Sequence, residues 1–183
     1  MKSATLKPIR MKPFELLLPQ DQINRRVREL ARQITEDYSG QTPVLVGVMK
    51  GCIVFLSDLM RHIKLPVEVE FVSAASYRQG VKREDDIAFG GGFSIPLKGR
   101  HILIVEGVVD SGRTVSLVVA KLRKLEPASV EVVTLLDKPG SHRTKVDVKY
   151  KGFSIGNEFV IGFGLDNTQK YRNLPFIGKL LDP

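Results

Sequence analysis

Four residues after Glu106, at the end of an unbroken apolar run, the chain reads Asp110-Ser111-Gly112-Arg113-Thr114. Two carboxylates at this spacing can face one ligand. One can hold sugar hydroxyls or a metal-bound group, and the other can accept a proton. Gly112 permits a positive φ, and the amides that open a following helix have no intrahelical partner. With the hydroxyls of Ser111 and Thr114 added, such a concavity suits a phosphate monoester. The same residues also read as a capped helix, with Asp110 or Ser111 as N-cap and Gly112 as an ordinary turn residue. The turn is not a Walker A loop, because Gly-x-x-x-x-Gly-Lys spacing is absent.

Positioning this turn takes a strand before it and a helix after it. HILIVEGVV (101–109) is nearly continuous in apolar residues, the pattern of a strand buried on both faces. Val115, Val118, Val119, Leu122 and Leu125 then form a helical stripe, with Pro127 just beyond the stop. SVEVVTLLD (129–137) is a second strand. Strand, turn, helix and strand make a βαβ crossover, which implies a parallel sheet with helices on its faces. Ligands bind outside the carboxyl ends of such strands, where this turn lies.

The flanking chain keeps the same alternation. Residues 21–36 place Ile23, Val27, Leu30 and Ile34 at helical spacing with Asp21 as the cap. PVLVGVMKG is a β-branched run that ends at Lys50-Gly51, and residues 53–63 again fit a helix. VEVEFVSAAS (67–76) opens as a strand. The polar, glycine-rich stretch YRQGVKREDDIAFGGGF is long for a loop, so it is a mobile lid or a short hairpin. Strand signals recur at 148–154 and 158–163, and PFIGKLLDP reads as an edge element or a docked tail. No repeat or linker interrupts the 183 residues, which are read as one domain over 1–183.

Composition narrows the classes. At 43% hydrophobic and 26% charged, the chain matches an ordinary globular protein, and no apolar run is long enough to span a membrane. The basic start has too short an apolar stretch for a signal peptide, and the single cysteine, Cys52, excludes an internal disulfide. A cytoplasmic location is therefore expected. Cys52 itself reads as buried packing. The net charge of +8 attracts polyanions, whether RNA or a phosphorylated metabolite. Without Trp, an Arg-rich block or an RNA-type aromatic motif, nucleic acid is the less favoured partner. His62, His101 and His142 lack metal-ligand spacing and are given no role.

The stretch ILIVEGVVDSGRT resembles the PRPP-binding motif of the type I phosphoribosyltransferases: a hydrophobic strand, acidic residues, two apolar residues, then Asp-Ser/Thr-Gly-x-Thr. Further motifs, in order, resemble the hypoxanthine/guanine branch of that family. VGVMKG is similar to its pyrophosphate loop, Ser76-Tyr77 to the Ser-Tyr pair of its lid, and LLDKPGSHR to its purine-recognition segment. EFVIGFGLD is similar to its base-stacking and metal-binding segment, and Tyr171-Arg172 falls where the family carries a pyrophosphate-contacting arginine.

The resemblance implies an α/β fold: a parallel sheet of about five strands, helices on both faces, and a small hood from the N-terminal segment and residues beyond about 150. It implies a purine salvage enzyme that uses PRPP and hypoxanthine or guanine, with Mg²⁺, as a homodimer or homotetramer. Asp110 becomes the catalytic acid or base near purine N7, while Ser111, Gly112, Arg113 and Thr114 cradle the 5′-phosphate. Glu106 binds the ribose hydroxyls and, through them, one Mg²⁺; Asp166 binds a second. Lys138 donates to the 6-oxo group, which selects against adenine. Phe159 stacks on the base and the Val160 backbone reads its edge. Lys50, Gly51 and Arg172 meet pyrophosphate.

The chain departs from the family where a second acidic residue usually follows the first, and has Gly107 instead. A lost charge-assisted hydrogen bond of about 1.5–3 kcal/mol predicts binding or turnover roughly ten- to a hundredfold weaker. Ile155-Gly156-Asn157-Glu158 replaces a common Ile-Pro-Asp-Glu, and Asn167 stands where an aromatic residue often follows the metal-binding aspartate. Two other readings of the same fold follow, a nucleotide- or RNA-binding regulator and a weakly active paralogue.

Overall fold

The computed structural model describes residues 13–74, 87–88 and 92–181. Its elements run β1 (Phe14–Leu18), α1 (Gln20–Asp37), β2 (Val44–Met49), α2 (Ile53–His62), β3 (Glu68–Ala74), β4 (Ile87–Ala88), β5 (His101–Val109), α3 (Arg113–Arg123), β6 (Ser129–Asp137), β7 (Tyr150–Ser154), β8 (Val160–Ile161) and β9 (Ile177–Leu180). Five strands are parallel, in the order β3-β2-β5-β6-β7, and β4 joins the β3 edge antiparallel. From β2 the chain first moves outward to β3, then returns to build β5, β6 and β7 on the other side. The order therefore reverses between β2 and β5. That reversal opens a crevice at the carboxyl ends of those two strands.

The central strands are buried on both faces because their side chains alternate between two cores. Leu45, Leu103 and Val105 enter a core with α1 and α2, while Val46, Ile102 and Ile104 enter the one under α3. Helix α1 buries Ile23, Val27, Leu30 and Ile34, the stripe read from the sequence. Its cap differs from the expectation. Pro19 holds the N-cap position without a side-chain bond, and Asp21 lies inside the first turn, where its charge faces the positive helix end.

The hood is a separate antiparallel sheet, β1-β9-β8. Here two expectations are corrected. The C-terminal segment is neither an edge nor a tail, because β9 is the middle strand, pairing Phe14–Leu18 on one side and Val160–Ile161 on the other. The strand expected over 158–163 shrinks to two residues, since Gly162, Phe163 and Gly164 all take positive φ and turn the chain out of the ladder. Tyr150–Ser154, at the lower boundary of the expected hood, instead extends the main sheet beside β6. Among the described residues no helix is long and apolar enough to cross a membrane.

Candidate active site

The crevice between β2 and β5 continues into a cleft of about 380 Å³. Its floor is the end of β5. Glu106 is only 8% exposed, and its Oε1 accepts the Gly107 N–H at 2.9 Å. Burial pushes its carboxyl up to about 8, against the pull of the Gly107 and Val108 amides, which favour the charged form. Beyond it the chain leaves the strand at Asp110 and turns through Gly112, at φ 78, into α3. A Cβ at Gly112 would lie 2.7 Å from the Thr144 carbonyl and 2.8 Å from Val146 Cγ2, so close approach and backbone angle both require glycine. The Ser111 carbonyl accepts the amides of Arg143 and Thr144, which pins the turn from behind.

The N-terminal turn of α3 thereby opens on the cleft. Gly112 occupies the N-cap position and has no side chain to cap with, while the Ser111 hydroxyl before it accepts the Arg113 amide at 3.5 Å. Asp110 is turned elsewhere. Its Oδ2 accepts from Lys138 Nζ at 2.7 Å, with the lysine side chain 8% exposed and the aspartate 56%. Lys138 follows β6, and its own amide donates to the Val109 carbonyl, so the lysine is registered directly against the glycine turn. The neighbouring Asp137 is buried. His142 Nε2 lies 2.8 Å from its Oδ1, and Lys151 Nζ makes an ion contact at 2.6 Å with Oδ2.

The opposite wall comes from the hood and the segment after it. Phe159, 43% exposed, and Val160 line the cleft at the entry to β8. Asp166 and Arg172 form a second ion pair, Nη2 to Oδ1 at 2.7 Å. Arg172 Nη1 also donates to the Gly164 carbonyl, and Asp166 Oδ2 accepts the Gln169 amide, both at 2.7 Å. The third side is the end of β2, where the Met49-Lys50 peptide is cis and Gly51 follows.

Lys50, Gly51, Glu106, Asp110, Ser111, Gly112, Thr114, Lys138, Phe159, Val160, Asp166 and Arg172 thus line one cleft, though they span more than a hundred residues of sequence. Arg113 does not line it. The residue is exposed at the start of α3, and its amide donates to the Ser111 hydroxyl at 3.5 Å. Ser76 and Tyr77 lie outside the described residues. The sequence reading overlooked Asp137 and gave His142 no role, although the buried Asp137 carboxylate is tied to the half-buried His142 beside Lys138; an acidic residue at the end of an apolar strand was the available signal. It also overlooked Leu165, which packs into the cleft between Gly164 and Asp166. Cys52 is buried packing, its thiol pushed up to about 12 by burial and by the nearby Glu106.

A glycine turn opening a helix at the switch point of a parallel sheet, roofed by a separate antiparallel hood, is an α/β architecture whose cleft suits a phosphorylated ligand. Residues 16–168 match the phosphoribosyl transferase domain, and the chain belongs to that family. Its similarity runs specifically to the hypoxanthine/guanine branch. It is 43% identical to the hypoxanthine phosphoribosyltransferase of Salmonella typhimurium, over 91% of this chain and 95% of that one. With the hypoxanthine-guanine phosphoribosyltransferase of Streptococcus pneumoniae it shares 39% identity, over 91% and 92% of the two chains. The crystal structure of a Bacillus anthracis hypoxanthine-guanine phosphoribosyltransferase superposes with a TM-score of 0.85 at 34% identity, covering 93% of this chain and 98% of that one.

Proposed function

We propose that this chain is a purine salvage enzyme that transfers the 5-phosphoribosyl group of PRPP to hypoxanthine or guanine, forming IMP or GMP and releasing pyrophosphate. The observation that carries the reading is the Asp110–Lys138 pair at the head of a cleft that also holds the glycine turn. A 6-oxopurine presents its 6-oxo oxygen and N7 side by side on one edge. Lys138 donates to the oxygen while Asp110 holds or accepts the proton at N7, and their 2.7 Å contact keeps the two groups in that register. Adenine would set its 6-amino donor against the lysine and leave both unpaired. Phe159 offers an exposed ring face for stacking, and the Val160 backbone lies beside it for the base edge.

The ribose end is built from different groups. The α3 terminus, with Ser111, Gly112 and Thr114, receives the 5′-phosphate. Arg113 stands with them as the first residue of the helix. Glu106 faces the ribose hydroxyls from the cleft floor. Positive charge develops on the ribose as pyrophosphate leaves toward Lys50, Gly51 and Arg172.

The donors present suit Mg²⁺ that arrives with substrate. Asp166 and Glu106 supply hard oxygen, and among the described residues no cluster of three or more His, Cys, Asp or Glu forms an all-protein site. When bound, the ion stabilises charge on the leaving diphosphate. The homodimer or homotetramer expected by resemblance belongs to the same proposal.

The decisive test is steady-state turnover of PRPP with Mg²⁺ against hypoxanthine, guanine, xanthine and adenine, with Asp110→Ala as control. Turnover of a 6-oxopurine is expected, absent with adenine and reduced about 10²- to 10⁴-fold in the variant. Equal rates with adenine, or an unimpaired variant, would overturn the reading.

A further inference from the structure

Gly107 interrupts an otherwise side-chain-rich strand beside Glu106, and its surroundings say what the missing side chain makes room for. A Cβ built there would lie 2.7 Å from the Gly51 carbonyl oxygen, 3.0 Å from the Gly51 carbonyl carbon and 3.0 Å from Leu165 Cδ2. Two of these three atoms are backbone, which cannot swing aside as a side-chain end can. A second glycine meets the same oxygen: a Cβ at Gly164, φ 97, would lie 2.6 Å from it. The Gly51 carbonyl therefore sits in a notch between two glycines from β5 and from the turn after β8. Leu165, 6% exposed, closes the notch, since its Cδ2 lies 3.4 Å from a Cβ built on Gly51.

We infer that Gly107 is a positioning residue for the leaving diphosphate: with Gly164 and Leu165 it seats the Gly51 carbonyl and so holds the Lys50-Gly51 loop against the end of β5. The inference rests on the proposed assignment of that loop to pyrophosphate. It replaces the expectation that glycine here is merely a lost acceptor for ribose hydroxyls. A side chain could enter only if the Gly51 loop and the end of β5 moved apart. The seat also joins the three segments assigned to the reacting end of PRPP, because Gly164 precedes Leu165 and Asp166, and Gly107 follows Glu106. Misplacing a binding loop by about 1 Å can cost on the order of a hundredfold.

Pyrophosphate separates the two explanations because it carries no ribose. The experiment is calorimetric titration of pyrophosphate with Mg²⁺ into the wild-type protein, Gly107→Ala, Gly107→Asp and Leu165→Ala, together with KM values for PRPP and hypoxanthine and thermal melts. Seating predicts pyrophosphate affinity weakened about ten- to a hundredfold in all three variants. The KM for PRPP rises in parallel, while that for hypoxanthine moves less than about twofold. Unchanged pyrophosphate affinity in folded Gly107→Ala overturns the inference. So does a Gly107→Asp variant that improves the KM for PRPP while its pyrophosphate affinity stays put, which would return the position to the ribose. Should Gly107→Ala not fold, Leu165→Ala decides, because it loosens the seat without adding an atom; unchanged affinity there is equally fatal. Failure of the wild-type protein to bind pyrophosphate would instead remove the loop assignment beneath the inference.

Discussion

Glu106 shows how one side chain couples the site to stability. Its carboxyl is raised from 4.5 to about 8 by burial, so the folded protein retains a proton that the unfolded chain has released. The folded state binds more protons between those two values. Stability from this group is therefore fully present below about pH 4.5, is lost as pH rises toward 8, and changes little above it. Glu106→Gln keeps the shape and an acceptor oxygen but cannot ionise. Melting curves between pH 5 and 8 should fall more steeply for the wild-type protein than for the variant, and parallel curves would remove the argument. Asp110 and Lys138 illustrate the converse. Their direct pairing is a geometric fact that neither residue announces alone, because a lone lysine is usually a surface group. The motif around them supplied the assignment. The fold supplied the contact.

At the scale of elements, the α/β core was the most legible part because its signals are local. β5, α3 and β6 fall where the apolar run, the helical stripe and the next apolar run place them, since each pattern carries its own period. The hood was less legible. β8 has two residues, and β9 takes its partners from opposite ends of the chain, so no short window reveals that it is central. The seat for the Gly51 carbonyl was invisible for the same reason, as it exists only when residues 51, 107 and 164 converge. Arg113 stands at the motif position in the turn but outside the lining of the cleft, because a motif position says where a residue stands and not which way the helix carries its side chain. The turn before α3 makes a testable claim of its own. Gly112→Ala places a methyl against the Thr144 carbonyl in a left-handed backbone, at a cost of about 1–3 kcal/mol. A lowered melting temperature and a raised KM for PRPP are expected together. A variant with wild-type melting and kinetics would show that the turn tolerates a side chain.

For the whole molecule, a net charge of +8 favours approach of a highly anionic substrate and has little bearing on a neutral purine. Raising ionic strength from about 0.05 to 0.3 M should increase the KM for PRPP several-fold and that for hypoxanthine much less, because screening shortens the reach of surface charge. Equal increases would assign the excess charge to solubility alone. Close to the cleft, however, the long-range field is muted, because Lys138 is balanced by Asp110 and Arg172 by Asp166. The second pair has a consequence for the order of events. Under the proposed roles, a diphosphate that took Arg172 would leave the Asp166 carboxylate with the Gln169 amide but no opposite charge, and a divalent cation that took Asp166 would leave the guanidinium with the Gly164 carbonyl in the same way. Under those roles, a diphosphate and a cation arriving as one neutralising complex would each find a partner in the pair, and the cleft would then work as a coincidence detector that rewards joint arrival over either component alone.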